Sequence, residues 1–207
     1  MKLRHIISTI AIASLPFVST KAENPVKRFS FGLEWGIAES MWGRYDYQYR
    51  TLENFRAGKT YDTFESHLNG MVLGFAGVNL SRRMNLGIYS GYQGLTNKVR
   101  IVPVELKIKY FTGREPGVRG WLLTAGGGVG LNPSGKMDIC ANLAEAGFGR
   151  RIYVGCGVSM DITLTFLAGK SHPPVFNNYD DIMVDTDHLE KSDKISFSSA
   201  LKISLNL

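Results

Sequence analysis

Ser171 and His172 are adjacent, and Asp180, Asp181 and Asp187 follow in the same stretch. A serine nucleophile needs a base within hydrogen-bond reach, so this set has the composition of an acyl-transfer site. Pro173 and Pro174 come directly after it, however, and place it in a long loop rather than on rigid elements, where solvated side chains are the better reading. The run 179–187 carries Asp180, Asp181, Asp185 and Asp187. Several carboxylates suit a hard divalent cation, but the run lacks the glycine and terminal glutamate of an EF-hand loop. Cys140 and Cys156 form neither a CxxC pair nor a cluster with metal-ligand spacing. No catalytic, metal or cofactor site is therefore expected.

A second chemical pattern is more regular. Glu34, Glu105, Lys107, Lys109, Arg151 and Lys202 lie in stretches where bulky apolar residues alternate with polar or small ones, always on the polar parity. Such charges need elements with two chemically different faces, which period-two alternation supplies as strands. Over 29–38, Phe29, Phe31, Leu33, Trp35 and Ile37 oppose Ser30, Gly32, Glu34, Gly36 and Ala38. Over 194–207, Ile195, Phe197, Leu201, Ile203, Leu205 and Leu207 oppose Lys194, Ser196, Ser198, Lys202, Ser204 and Asn206. Six more strands are predicted at 67–79, 84–93, 99–111, 118–131, 147–159 and 162–170. In the second strand Met71, Leu73 and Phe75 compete with Val72, Ala76, Val78 and Leu80 for the apolar face, so its facing stays open and a bulge is expected.

The connections alternate in length. Those at 40–66, 94–98, 132–146 and 171–193 are mostly long; those at 80–83, 112–117 and 160–161 are short. An up-and-down meander with its long loops at one end fits the rule for outer-membrane barrels. Rim aromatics agree, with Trp121, Tyr110 and Phe111 expected at the periplasmic end and Tyr92 and Phe148 at the outer end. In this arrangement Cys140 and Cys156 fall roughly 30 Å apart at ~3.3 Å per strand residue, too far for a bridge, which needs Cα atoms within about 7 Å.

Composition supports an ordered chain: 207 residues, 11% aromatic, 44% hydrophobic, and mean hydropathy of −0.06. Past the amino terminus no uncharged apolar run approaches the ~20 residues of a membrane-spanning helix. Residues 1–22 read as a secretory signal peptide: a basic start, an apolar stretch 6–18, and a small-residue cleavage site at Thr20-Lys21-Ala22. Residues 23–207 then form a single domain. Lys2, Arg4 and Lys21 belong to the leader, so the net charge of +6 falls to about +3 and gives no reason to expect nucleic acid. The 23 glycines exceed average usage; Gly32, Gly36, Gly87, Gly91, Gly126, Gly128, Gly155 and Gly157 are expected to make room for long charged side chains in a narrow interior or to permit bulges and curvature.

With these features the chain resembles the small eight-stranded outer-membrane β-barrel family, the OmpX-like and OmpA-barrel-like proteins of diderm bacteria. The resemblance covers about 28–207 and rests on the alternating segments, the Leu86-Gly87-Ile88-Tyr89-Ser90-Gly91-Tyr92 and Pro103-Val104-Glu105-Leu106 segments, and an apolar terminal residue. It implies an all-β, eight-stranded antiparallel up-and-down transmembrane β-barrel, outer-membrane lipid as surroundings, and the barrel-assembly machinery as a partner in biogenesis. The family's terminal strand most often ends in Phe, where this chain has Leu207; a peptidoglycan-binding domain after the last strand is not expected. The leading expectation for function is a non-catalytic envelope protein whose outer loops, chiefly the first and fourth, contact an extracellular partner or stabilise the membrane. Trp42, Tyr45, Tyr47, Tyr49 and Tyr61, joined by Phe55 and Phe64, make the first loop the main contact candidate, and the alternation of its tyrosines predicts a hairpin extending past the membrane. Rim packing with interfacial anchoring is the preferred role for those aromatics, weighed against contact. The alternative function is a narrow or gated porin-like channel lined by the six charges, and a lipid A-modifying enzyme comes third.

Overall fold

The computed structural model describes residues 28–51, 55–64, 66–95, 99–112, 119–133, 139–177, 182–184 and 186–207. The stretch 1–22 expected to be a leader lies outside them, as do Tyr179, Asp180, Asp181 and Asp185 of the acidic run. Alternating sequence becomes alternating burial along β1 (Phe29–Arg50), β3 (His67–Asn79), β4 (Met84–Gly94), β5 (Arg100–Phe111), β6 (Gly120–Leu131), β7 (Ile139–Gly155), β8 (Val158–Ser171) and β11 (Leu189–Asn206). Each pairs antiparallel with the next, and β11 returns to pair with β1, so the sheet closes in a ring. A ninth strand, β2 (Arg56–Thr63), pairs with the distal half of β1, past the point where β3 takes over. The short strands β9 (Phe176–Asn177) and β10 (Ile182–Met183) form a separate two-stranded hairpin. Among the described residues no helix is long and apolar enough to cross a membrane.

Burial is inverted relative to a protein with an apolar core. Outside, Phe29, Phe31, Leu33, Trp35 and Ile37 of β1 and Leu106, Ile108 and Tyr110 of β5 are exposed. Inside, Glu34, Glu105, Lys107, Lys109, Glu145, Arg151, Asp161 and Lys202 are buried. The second long strand resolves its ambiguity in one direction: Met71, Leu73 and Phe75 face inward while Val72 and Val78 face out, with continuous pairing to β1 and no bulge. Phe75 stacks on inward Tyr89 at 4.8 Å between ring centroids.

Several boundaries differ from the sequence-based expectation. The strand placed at 147–159 is β7, starting at Ile139, and the turn placed at 160–161 falls earlier. Gly155, Cys156 and Gly157 all have positive φ there, a backbone that makes a tight strand reversal and that glycine adopts without strain. Gly155 and Gly157 are therefore turn residues and do not line the interior. Among the expected rim aromatics, Phe111 faces inward, with the Arg151 guanidinium 4.1 Å from its ring centre. Phe148 faces outward but pairs with Leu123 and Leu164 at mid-strand rather than at the outer rim, because β7 begins eight residues earlier than expected. Cys140 lies near the start of β7 and Cys156 in the turn at its far end; both thiols are free.

Close approach of backbones at the seam requires glycine at Gly32 and Gly36, most tightly at Gly32. A Cβ on Gly32 would lie 1.8 Å from the Leu205 carbonyl oxygen and 2.9 Å from Phe75. Gly32→Ala is expected to destabilise ring closure by about 1–3 kcal/mol through overpacking, seen as a lower urea midpoint in detergent. An unchanged midpoint would mean that β1 and β11 do not meet in this register.

Candidate functional site

The inward parity of β5 sets Lys107 and Lys109 one above the other, and neighbouring strands bring acids to each. Around Lys107 the Nζ atom lies 3.0 Å from Glu34 Oε1, 2.9 Å from Glu105 Oε2 and 2.9 Å from Glu145 Oε1. Lys202 donates to Glu145 Oε2 and lies 3.7 Å from Glu34 Oε1. Ser204 donates to Glu34 Oε2 at 2.8 Å. Three carboxylates thus share two ammonium groups. The second cluster reverses that imbalance: Asp161 accepts from Lys109 at 3.0 Å and takes both arms of the Arg151 guanidinium at 2.6 and 2.8 Å. Bidentate guanidinium–carboxylate pairing is the strongest geometry open to these groups. Lys107 also sits 4.5 Å from the Tyr89 ring centre, and Lys109 5.3 Å from that of Phe75.

Both clusters together hold four cations and four carboxylates among the buried residues. All six charges expected from sequence face the interior, and all six join these clusters. Glu145 and Asp161 escaped the sequence reading because one was placed in a loop and the other in a turn. Two signals pointed to them: the glycine-flanked reversal at 155–157, and an interior left with four cations against two acids.

Beyond the ring, β1, β2 and the start of β11 form a three-stranded extension. A register shift between Ser40 and Trp42 switches the facing of β1. Up to Ser40 the even-numbered residues turn inward; beyond it Gly43, Tyr45, Tyr47 and Tyr49 take that side. Tyr47 stacks on Tyr49 at 6.2 Å, Tyr45 meets Tyr61 of β2 edge-on at 5.8 Å, and Lys59 Nζ lies 5.6 Å from the Tyr61 ring centre. Trp42 is separated from this group: it packs on Phe197 at 5.4 Å, and its cross-strand pairing puts it on the outward face. Phe55 and Phe64 are exposed at either end of β2.

Charged clasps hold the extension. Lys191 and Thr60 both donate to Asp46, and Glu190 accepts from Arg50 at 2.6 Å with Arg56 3.3 Å away. These hydrogen bonds keep the Asp46 carboxyl below its ordinary value, through Lys191 first and Thr60 second, and that of Glu190 below its own, mainly through Arg50. A depressed carboxylate pKa contributes stability that is complete above the ordinary carboxylate range and is lost as pH falls through the lowered value. Amide-exchange protection of 43–50 is thus expected to hold from neutral pH down to about 4 and to fall below it. Protection that persists to about pH 2 would show that the clasps do not hold the extension.

The Ser171–His172 pair is not assembled. Ser171 is buried and its hydroxyl has no hydrogen-bond partner among the described residues, whereas the exposed His172 Nδ1 lies 2.8 Å from the Ser192 carbonyl and 3.1 Å from Asp193. Asp187 and His188 belong to a short exposed 3-10 turn.

Among solved structures, the chain is similar to the outer membrane protease OmpT from Escherichia coli, with 9% sequence identity, coverage of 89% of this chain and 98% of that chain, and a TM-score of 0.40. No family model matches the chain, and no curated protein matches it.

Proposed function

We propose that the protein is a non-catalytic outer-membrane β-barrel in which eight strands, β1, β3 to β8 and β11, span the bilayer, while β2 and the distal parts of β1 and β11 project outside as a contact surface. The observation that carries this reading is the inversion of burial: exposed apolar side chains all around the ring and eight buried charges within it. An apolar exterior of that extent is favourable only against lipid, and a closed ring leaves no unpaired strand edge in the bilayer. Eight strands enclose an interior that side chains can fill, and here the two ion clusters fill it.

The same clusters argue against the channel reading, since Lys107 and Lys109 with their acids cross the interior from β5 to β1, β7, β8 and β11. In planar bilayers the purified protein is expected to show no reproducible single-channel steps. Regular steps whose size changes with Lys107→Glu would overturn the filled-barrel reading. The surface-contact role draws on Tyr45, Tyr47 and Tyr61, whose rings cluster on one side of the extension and stay partly accessible, with buried Tyr49 stacked on Tyr47 as their support. Clustered tyrosines offer a large amphipathic surface of low conformational entropy, the composition of many recognition surfaces.

A further inference from the structure

The outward face of the ring has a hollow of about 550 Å³, walled by Trp35 and Ile37 of β1, Val72 of β3, Tyr92 of β4 and Leu201 of β11. Its cause is local. Gly70, on the outward parity of β3, sets no side chain between Ile37 and Tyr92, and a Cβ built there would meet nothing within 4 Å. The size falls in the range of ligand-holding clefts, about 300–1,000 Å³, and the walls are almost wholly apolar.

One charged side chain lines the hollow. Arg100, the first residue of β5, sits at the long-loop end of the strands, where its guanidinium donates to Asn69 Oδ1 at 3.4 Å and to the Val99 carbonyl at 3.5 Å. Those bonds hold a cation at one end of an apolar trough. Resting on the membrane reading above, we infer that the hollow is a binding site for one anionic phospholipid, with an acyl chain laid between Trp35 and Tyr92 and the phosphate on Arg100. A single-chain trough with a guanidinium at its mouth matches that chemistry in both parts: methylene groups against apolar walls, and phosphate oxygens against a planar fork of donors. A zwitterionic lipid fits the trough equally but offers Arg100 no net charge.

Native mass spectrometry of the protein released from vesicles of equal phosphatidylglycerol and phosphatidylcholine tests the assignment. The wild-type barrel is expected to retain one phosphatidylglycerol in preference to phosphatidylcholine by about fivefold or more. Arg100→Gln should erase the preference, and Gly70→Leu, which fills open space and leaves the ring intact, should lower retention of both lipids. A barrel that inserts and shows heat-dependent mobility on mild detergent gels, yet holds both lipids equally or keeps its preference in both variants, overturns the lipid site alone. A protein that neither inserts nor shifts overturns the membrane reading and the lipid site together.

Discussion

Lys107→Met is expected to cost about 3–5 kcal/mol in urea or guanidinium unfolding of the refolded barrel, the scale for removing one member of a buried ion cluster. The magnitude follows from what remains: Glu34, Glu105 and Glu145 each lie within 3.0 Å of the Lys107 ammonium, and Lys202 contacts only two of them. Glu105 would lose the cation it is paired with. A charge-balanced partner separates electrostatics from packing. In Lys107→Gln with Glu105→Gln the cluster returns to its original net charge, and at least half of the loss should be recovered. A loss below about 1 kcal/mol for Lys107→Met, or no recovery in the double variant, would show that the interior is hydrated enough to solvate the carboxylates separately.

Asp161→Asn is expected to be as damaging, again about 3–5 kcal/mol. Asp161 is fully buried and is the carboxylate that both Lys109 and Arg151 contact. Asparagine keeps the shape and one acceptor oxygen but leaves two buried cations facing a neutral group. The loss should therefore respond to charge elsewhere in the cluster: adding Lys109→Gln to Asp161→Asn restores the cluster's charge and should regain stability, although each change alone destabilises. Equal stability of wild type and Asp161→Asn would place Asp161 outside the cluster, nearer the turn that the sequence pattern assigned to it.

These two residues also mark how far the sequence could be read. On β5 the reading was complete, because Val104, Leu106, Ile108 and Tyr110 alternate with Glu105, Lys107 and Lys109 without interruption, and the structure turns that acid and both lysines inward as the pattern requires. Asp161 was misplaced because the reversal at Gly155, Cys156 and Gly157 interrupts the sequence more subtly than a Pro-rich or Asn-rich turn: two glycines are its sequence sign, and the backbone's positive φ fixes the turn there. Glu145 was lost for a related reason: between Ile139 and Phe148 the outward positions of β7 are Asn142, Ala144 and Ala146, none of them bulky and apolar, so its first half resembles a loop. On β3 the pattern was undecidable, since apolar residues occupy both faces. Its inward set is chosen by tertiary packing, with Phe75 filling space against Tyr89 and Gly32. Burial and packing override alternation wherever both parities are apolar.

The outer extension shows the complementary limit. Alternation of Tyr45, Tyr47 and Tyr49 announced a hairpin, and the hairpin is present. Which way the rings face was not legible, because a single register shift beside Trp42 reverses every side chain beyond it. That shift divides the first-loop aromatics into Trp42 on the outward surface and the tyrosines on the inner one.

Contact of the apolar exterior with lipid can be read from the fluorescence of Trp35 in a Trp42→Phe, Trp121→Phe background. Trp35 lies mid-strand on β1, pairs with Ile203 and Val72, and is exposed on the outward face. Reconstituted into vesicles whose acyl chains carry bromine, its emission is expected to be strongly quenched, and aqueous iodide is expected to have little effect. A protein that stays in solution without detergent, with Trp35 quenched by iodide and untouched by brominated lipid, would contradict the account.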